Sequence, residues 1–265
     1  MTTARLLQAA GPLAGASVIV TRPAASAAPL KRRIRALGGN AIALPVLALR
    51  RVVDTAAAKA TLRQARDADI VVFVSPAAVK FAFALRPLRF ARTTRVYAIG
   101  AASARALSRR GVRNVLFPRA QQDSEGLLAL PDLQKLRGRR IALIGAPDGR
   151  ELLAQTLRSR RARVSEIHVY RRVPAHLSAR QLAALDAAPQ PLLTLLTSAL
   201  TLTGLRTQLP LALFARLAEG ELIVSSARLA EAARRSLFGN VHLAASPSPD
   251  DLLAAAQQAL ARHRL

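Results

Sequence analysis

Residues 162–174 read Ala-Arg-Val-Ser-Glu-Ile-His-Val-Tyr-Arg-Arg-Val-Pro, and the rest of the chain is organised around this stretch. Its side chains fall into two alternating sets, which is typical of an extended strand, and Pro174 closes the run. A second stretch, 41–53, also reads as extended chain; each stretch follows a basic helix and contains a pair of arginines. We expect the two stretches to cross between two lobes, with Tyr170 facing the cleft.

The composition is consistent with two lobes and with an anionic ligand. The chain has 265 residues, enough for two lobes of about 120 residues each. It carries 40 Lys+Arg against 15 Asp+Glu, a net charge of +25, and almost all the cations are arginines, which suit carboxylate or phosphate partners. The charge predicts a polyanionic ligand, either nucleic acid or a poly-acidic small molecule, unless it reflects a bias towards Arg and Ala spread over solvated helices.

Several classes of site and location are excluded or disfavoured by residue content. The chain has no cysteine, which excludes disulfides, thiol catalysis and thiolate metal sites. Its four histidines show no helical i, i+4 pairing, so no histidine metal site is predicted. No signal peptide is visible, and the longest uncharged run, 187–205, contains prolines and threonines. A cytoplasmic protein without a membrane span is therefore expected.

Strand–turn–helix units recur along the chain, after a loose lead-in expected over residues 1–15. This recurrence predicts an α/β protein with parallel sheets. The predicted strands are 17–20, 41–53, 70–74, 95–99, 112–117, 140–144 and 162–173. The predicted helices of the same region are 24–37, 54–67, 77–85, 102–110, 124–130 and 150–160.

An internal repeat sharpens this prediction. Segment A, 18–53, resembles segment A′, 141–173, in order and length, and segment B, 73–128, resembles segment B′, 196–253. The economical fold pairs A with B′ and B with A′. We therefore predict two doubly wound parallel-sheet lobes, flavodoxin-like or Rossmann-like, joined by a two-stranded β ladder. The predicted boundaries are 1–42 with 175–265 for the discontinuous lobe, 43–53 and 162–174 for the ladder, and 54–161 for the inserted lobe.

The strand-to-helix turns share a chemistry that suits anions. They are small, rich in hydroxyls and nearly free of carboxylates, and backbone N–H groups at helix N-termini bind anions. Each Ser or Thr could instead be an ordinary helix N-cap, but six such turns around one cleft favour anion binding. The turns are Thr21-Arg22, Ser75–Ala78, Gly100–Ser103, Gly145–Gly149, Thr197-Ser198 and Ser225-Ser226.

Three larger side chains are candidates for chemistry near these turns. Arg22 and Arg228 could clamp an acid group through two hydrogen bonds, or could be solvated arginines. Tyr170, one of only two tyrosines, could donate a proton to a leaving hydroxyl, or could simply pack at the lobe junction. No Ser–His–Asp set, paired carboxylates or phosphate-loop lysine is visible, so few dedicated catalytic side chains are expected.

Taken in order, the motifs resemble those of the uroporphyrinogen-III synthase family, from about Val18 to Leu260. The resemblance rests on the order and spacing of motifs that are individually weak. They are Val20–Pro23, Phe73–Val79, Ala98–Gly100 with Ser103, Phe117-Pro118, Ser124–Leu128, Gly149–Leu152, Val169–Pro174, Leu196–Ser198, Ser225–Arg228 and Ser246–Leu252.

The resemblance implies both a fold and a reaction. The fold is two α/β lobes, the first discontinuous, joined by a two-stranded ladder. The reaction is the cyclisation of hydroxymethylbilane, a linear tetrapyrrole with eight carboxylates, to uroporphyrinogen III with loss of water and inversion of ring D. It implies no metal or cofactor, and a monomer with no membrane partner is expected.

Site residues carry over by position. Tyr170 matches the family tyrosine proposed to assist departure of the hydroxyl. Ser103 stands where many members have threonine, and Ala77 stands where many have asparagine, so a side-chain contact at 77 is in doubt. The other predicted substrate-binding residues lie in the turns: Thr21, Arg22, Ser75, Gly100, Ser198, Ser225, Ser226 and Arg228.

Two rival functions remain. A basic nucleic-acid-binding protein would be supported by aromatic platforms, but aromatic residues make up 3% of the chain and none is interleaved with a basic run. Nucleic acid is therefore not the expected partner. A two-lobed anion-binding protein without catalysis is disfavoured because no signal peptide is visible.

Overall fold

The structure is a computed structural model that describes residues 11–147 and 151–263. The chain forms two compact units, Met1–Ala48 with Val173–Leu265 (unit 1) and Leu49–Arg172 (unit 2). The strands are β1 (Ser17–Val20), β2 (Asn40–Ala43), β3 (Leu47–Arg51), β4 (Ile70–Phe73), β5 (Arg95–Ala98), β6 (Arg140–Gly145), β7 (Arg163–His168), β8 (Tyr170–Pro174), β9 (Leu192–Leu196), β10 (Glu221–Val224) and β11 (Asn240–Leu243).

Helices alternate with these strands through most of the chain. They are α1 (Ala24–Ala36), α2 (Thr55–Gln64), α3 (Pro76–Leu85), α4 (Ala101–Ser108), α5 (Ser124–Leu128), α6 (Glu151–Ser159), α7 (Ala179–Asp186), α8 (Ala199–Gln208), α9 (Leu211–Glu219), α10 (Ala227–Arg234) and α11 (Pro249–His263). Among the described residues, no helix has the length and apolar character needed to cross a bilayer.

Two parallel sheets confirm the predicted fold class. Unit 1 contains a five-stranded sheet of order β11-β10-β9-β1-β2, and unit 2 a four-stranded sheet of order β5-β4-β6-β7. The first sheet joins strands of segment A to strands of segment B′, and the second joins B to A′, as the internal repeat predicts. Strands β3 and β8 form a separate two-stranded sheet, and the chain passes between the units within them.

Both sheets are covered on both faces, which explains the apolar runs of their central strands, such as β1 and β4. In unit 1 one core cluster includes Ile19 and Leu196, and a second, on the other face, includes Val18 and Leu195. Unit 2 repeats this arrangement with two clusters, one around Phe73 and the other around Val72. Adjacent residues of a strand point to opposite faces, so a strand buried on both faces reads as a continuous apolar run.

Three predicted elements differ in the structure. The stretch 41–53 is two strands, because Pro45 falls between β2 and β3 and proline cannot donate to a ladder. The stretch 162–174 is also two strands, because β7 pairs with β6 whereas β8, after Val169, pairs with β3. Predicted strand 112–117 is reduced to one isolated bridge between Tyr97 and Leu116.

The loose lead-in predicted for residues 1–15 is wrong where it can be described. Leu13 is fully buried in the core that also contains Leu30, and its N–H donates to the Leu37 carbonyl at 2.8 Å. Residues 1–10 lie outside the described residues, as do Asp148 and Gly149 of the predicted 145–149 turn and Gly149 and Arg150 of the 149–152 motif.

The repeat of segment A in A′ has a constant offset. Strands β1, β2 and β3 begin at Ser17, Asn40 and Leu47, and β6, β7 and β8 begin 123 residues later at Arg140, Arg163 and Tyr170. Even a backbone contact recurs: Asn40 N–H donates to the Ala16 carbonyl at 2.9 Å, and Arg163 N–H donates to the Arg139 carbonyl at 2.8 Å. Residues 123 apart can therefore be compared position by position.

Candidate functional site

The predicted site residues lie at the carboxyl edge of each sheet. In unit 1, Thr21 follows β1, Ser198 lies two residues after β9, and Ser225 follows β10; these strands are neighbours in the sheet. In unit 2, Ser75 and Gly100 lie two residues after β4 and β5. Parallel strands end on the same side, so each sheet gathers its own turns along one edge, where parallel α/β sheets bind ligands.

Tyr170 is held rigidly in unit 2. Only 2% of the residue is exposed, and its ring stacks on Phe81 with a centroid distance of 5.4 Å and an interplanar angle of 18°. The guanidinium of Arg172 lies over the ring, with Cζ 5.9 Å from the centroid. The phenol oxygen is 3.2 Å from Ser75 Oγ. These contacts fix both the ring and its hydroxyl in one position.

Ser75 connects Tyr170 to the start of α3. Its extended backbone makes it the N-cap of the helix, and its Oγ accepts the Ala78 N–H at 2.9 Å. Because that oxygen is already an acceptor, its own proton is available to the Tyr170 oxygen. The sequence left open whether this serine caps a helix or belongs to a binding site, and its hydroxyl contacts both the helix N-terminus and Tyr170.

Gly100 and Ser103 lie at the start of α4, where a third residue intervenes. Gln122 Oε1 accepts the Ala101 N–H at 2.8 Å and so caps the helix. A Cβ on Gly100 would lie only 2.8 Å from that oxygen. The extended backbone at this position would accept any residue, so the close approach of Gln122 is the reason for the glycine. Ser103 is 1% exposed, and its Oγ has no hydrogen-bond partner among the described residues.

Ala77 supplies no polar atom to the site. It is the second residue of α3, half-buried, and packs against the core cluster that contains Tyr170. A contact from this position to a ligand is limited to the backbone and the methyl group.

In unit 1, the side chains of Thr21 and Arg22 both donate hydrogen bonds to backbone carbonyls. Thr21 is 2% exposed, and its hydroxyl donates to the Leu195 carbonyl at 2.7 Å, which ties the end of β1 to β9. Arg22 Nη2 donates to the Pro247 carbonyl. Burial lowers the pKa of Arg22, and the side chain makes no ion pair with another described residue, so its charge is unneutralised at the sheet edge.

The remaining unit 1 residues are helix caps and a helix-start cation. Ser198 caps α8 by accepting the Thr201 N–H at 3.1 Å, and Ser226 caps α10 by accepting the Leu229 N–H at 3.3 Å. Ser225 is half-buried between β10 and this cap, and Arg228 is exposed in the first turn of α10. Hydroxyls and a cation therefore stand at adjacent helix N-termini, where the helix dipole also favours anions.

Sequence reasoning missed Phe81, Arg172 and Gln122. Phe81 lies six residues after Ser75 on α3, and its place against Tyr170 depends on a contact between distant segments. Arg172 belongs to the arginine pair that marks the ladder stretch, so its position two residues after Tyr170 on the same strand could have suggested it. Gln122 reaches Ala101 from an irregular loop, for which no sequence pattern exists.

Comparison with known proteins identifies the family. A model of the family described as uroporphyrinogen-III synthase HemD matches residues 28–254. The uroporphyrinogen-III synthase of Escherichia coli K12 is 29% identical over 245 residues, which cover 91% of this chain and 100% of the relative. That of Salmonella typhimurium LT2 is 36% identical over 167 residues, which cover 60% of this chain and 66% of the relative.

A solved structure shows the same fold. The crystal structure of a mutant uroporphyrinogen III synthase from the extremely thermophilic bacterium Thermus thermophilus has a TM-score of 0.60 and 20% identity, and covers 94% of this chain and 100% of that chain. The family match spans most of the sequence and every described strand except β1, and the chain belongs to the uroporphyrinogen-III synthase family.

Proposed function

We propose that this chain converts hydroxymethylbilane to uroporphyrinogen III, as a lyase that removes water, closes the macrocycle and inverts ring D. Membership of the family is the main support for the proposal. The contact between Tyr170 and Ser75 at a sheet edge supplies a candidate group for the chemistry. The substrate is a small molecule with eight carboxylates, which suits a protein with a net charge of +25.

Tyr170 is the proposed proton donor to the departing hydroxyl. Ser75 accepts a backbone N–H from Ala78 and can donate its own proton to the Tyr170 oxygen. In that arrangement the phenol proton points away from Ser75 and is available to the substrate oxygen. Stacking on Phe81 keeps the phenol in place while the proton moves.

The turns at the two sheet edges are the proposed sites for the substrate carboxylates. Hydroxyl donors and helix N-termini in unit 1, together with the charges of Arg22 and Arg228, match the carboxylates in chemistry. In unit 2 the Oγ of Ser103 lacks a partner among the described residues, which marks it as a donor that a substrate group could satisfy after a local opening.

Selectivity is proposed to come from positioning more than from many catalytic groups. Uncatalysed closure gives the uninverted isomer, so the protein must favour the spiro-forming transition state over direct closure. Holding several carboxylates at fixed donors restricts a flexible tetrapyrrole to conformations in which the substituted carbon of ring D is attacked. We propose further that the protein acts as a monomer.

The test is an isomer assay. The purified protein is incubated with hydroxymethylbilane, the products are oxidised, and the type I and type III isomers are separated by chromatography. Predominantly type III product, at a rate proportional to enzyme concentration and with the protein eluting as a monomer, is expected. Type I product alone, from protein with a cooperative unfolding transition, would rule out the proposed activity.

A further inference from the structure

A ridge of six exposed cations runs along the amino edge of the unit 2 sheet. We define this basic ridge as Lys135, Arg137, Arg139, Arg140, Arg161 and Arg163. It is built from two loops that lie side by side, because Gly138 N–H donates to the Arg161 carbonyl at 3.0 Å and Arg163 N–H donates to the Arg139 carbonyl at 2.8 Å. The fold thus concentrates cations that are separate in the sequence.

The ridge is distinct from the proposed active site. Arg140 and Arg163 are the first residues of β6 and β7 and are paired across the two strands. Ser75 and Tyr170 lie beyond the carboxyl ends of the strands of this sheet. The six residues of β6 separate the two edges, which corresponds to about 17 Å. Binding of the reaction's substrate therefore does not account for the ridge.

The internal repeat forms the same backbone in unit 1 without these charges, with buried side chains at three of the six positions (Ala14, Ala16 and Ser17) and uncharged Pro12, Gly38 and Asn40 at the exposed ones. The ridge positions correspond, at the offset of 123 residues, to uncharged side chains in unit 1. The pairs are Pro12 and Lys135, Ala14 and Arg137, Ala16 and Arg139, Ser17 and Arg140, Gly38 and Arg161, and Asn40 and Arg163. The two loops have the same backbone hydrogen bond in both copies, so the cations of unit 2 are an addition to a shared scaffold.

Arg161 occupies a backbone position that suits glycine. Its φ is +63°, and its counterpart Gly38, which closes α1, has a φ of +83°. A side chain in this left-handed region is strained, whereas glycine is not. The chain therefore carries an arginine at a turn where the equivalent turn of the other unit has glycine, which is the opposite of what local stability favours.

Most of the ridge charge is not neutralised within the protein. Lys135, Arg137, Arg161 and Arg163 make no ion pair with any other described residue. Of the other two, Arg140 pairs with Asp69 at 3.6 Å, and Arg139 contributes to lowering the pKa of that carboxyl after the larger effect of Arg140. Nearby cations are used elsewhere, since Arg158 pairs with Glu166 and Arg160 donates to two backbone carbonyls; they are not part of the ridge.

We propose that the basic ridge is a docking surface for the phosphate backbone of double-stranded nucleic acid, separate from the catalytic function. Arginine matches phosphate through paired hydrogen bonds, and a duplex presents phosphates in regular rows without requiring base contacts. A single strand would need exposed aromatic platforms, and a membrane surface would need exposed apolar anchors. No ridge residue supplies either, and the exposed large apolar residues among those described lie elsewhere in the chain.

The absence of aromatic platforms disfavours nucleic acids that are bound by stacking on their bases. Contact with the backbone of a duplex depends on the density of unpaired cations in one place, and the pairing of the two loops, which creates that density, is visible only in the fold.

The test measures duplex binding by fluorescence anisotropy with the full-length protein. The probes are two 20-base-pair DNA duplexes of unrelated sequence, titrated between 50 and 300 mM KCl. The ridge variant is the triple Arg137→Gln, Arg161→Gln, Arg163→Gln. The matched control is Lys31→Gln, Arg32→Gln, Arg35→Gln on α1, which removes the same charge from another surface.

Loss of three phosphate contacts should make the negative slope of log K against log[salt] less steep by about 2.7, where K is the association constant for the duplex. Binding at 100 mM salt should weaken by about 100-fold or more. The control triple is expected to change affinity less than threefold, both duplexes should behave alike, and both variants should retain type III isomer formation. Equal losses in the two triples would overturn the proposal, because the charge would then act diffusely. Ridge-dependent binding to vesicles containing phosphatidylglycerol, without ridge-dependent duplex binding, would also overturn it and would assign the ridge to a membrane surface.

Discussion

Replacing Tyr170 with phenylalanine separates the proposed chemistry from the fold. The substitution removes one hydroxyl and keeps the ring that stacks on Phe81 and lies beneath Arg172. The lost hydrogen bond, to Ser75 at 3.2 Å, is between neutral groups and is long, so the free energy of unfolding should fall by about 1 kcal/mol or less. Turnover should fall by about 10²- to 10⁴-fold, the usual contribution of a positioned proton donor, or about 3 to 5 kcal/mol of barrier.

The other tyrosine provides a matched control. Tyr97 is 1% exposed, and its hydroxyl donates to Asp132 at 2.9 Å, while Asp132 also pairs with Arg95 at 3.0 Å. Tyr97→Phe therefore removes a hydrogen bond to a charged group, which should lower the free energy of unfolding by about 1.5 to 3 kcal/mol. The Tyr97 hydroxyl is directed to Asp132, which is not a residue of the proposed site, so turnover should remain within about twofold of the parent protein.

Both variants are measured in the same two assays. Initial rates of type III isomer formation give turnover, and urea denaturation gives the free energy of unfolding. The two variants should differ in opposite ways. Tyr170→Phe should lose turnover and keep its free energy of unfolding, whereas Tyr97→Phe should keep its turnover and lose free energy of unfolding. Full turnover in Tyr170→Phe would remove the proton-donor role, and a stability loss above about 3 kcal/mol would show that the hydroxyl is mainly structural.

Three further perturbations test the local geometry. Gly100→Ala should lower the free energy of unfolding by about 1 kcal/mol, because its Cβ would displace Gln122 from the N-terminus of α4; unchanged stability in urea would exclude that cap. Leu237→Gly should raise stability by about 1 kcal/mol, because this 82% exposed leucine has a φ of +70°, and a lower melting temperature would contradict the strain argument. Burial and the hydrogen bond to its carboxylate partner raise the pKa of Tyr97 from 10.0 to about 12, so the stability linked to this group is complete below pH 10 and is lost as pH rises from 10 to 12. Urea midpoints measured from pH 9 to 11.5 should fall more steeply in the parent than in Tyr97→Phe, and parallel curves would refute the linkage.

The fold was predictable from sequence to the extent that burial leaves a pattern. Strand β4 and residues 141–144 of β6 are continuous apolar runs because both faces of their sheet are covered, and the repeat indicated which strands share a sheet. The breaks at Pro45 and Val169 were not predicted. A long extended stretch has the same pattern whether it stays in one sheet or leaves it for another, and only the hydrogen-bond partners distinguish the two cases.

The site was predictable only as a set of turns. The hydroxyls at the carboxyl edges followed from strand order, but the contact between Ser75 and Tyr170 joins residues 95 positions apart, and no local pattern encodes it. Nor did the sequence indicate that Thr21 and Gly100 face other protein groups at close range, since the Leu195 carbonyl and Gln122 come from distant segments.

The repeat clarifies why the proposed chemistry depends on one copy of each feature. At the offset of 123 residues, Tyr170 corresponds to Leu47, which is half-buried against the unit 1 core, and Arg22 corresponds to Gly145. Each unit therefore keeps the same strand and turn but differs in the side chain presented at the sheet edge. A symmetric pair of proton donors would not distinguish the two ends of a linear substrate. The proposed site has one tyrosine, Tyr170 in unit 2, and one half-buried arginine, Arg22 in unit 1, so it can distinguish them. The proposed inversion of only the last ring requires that the two ends be treated differently.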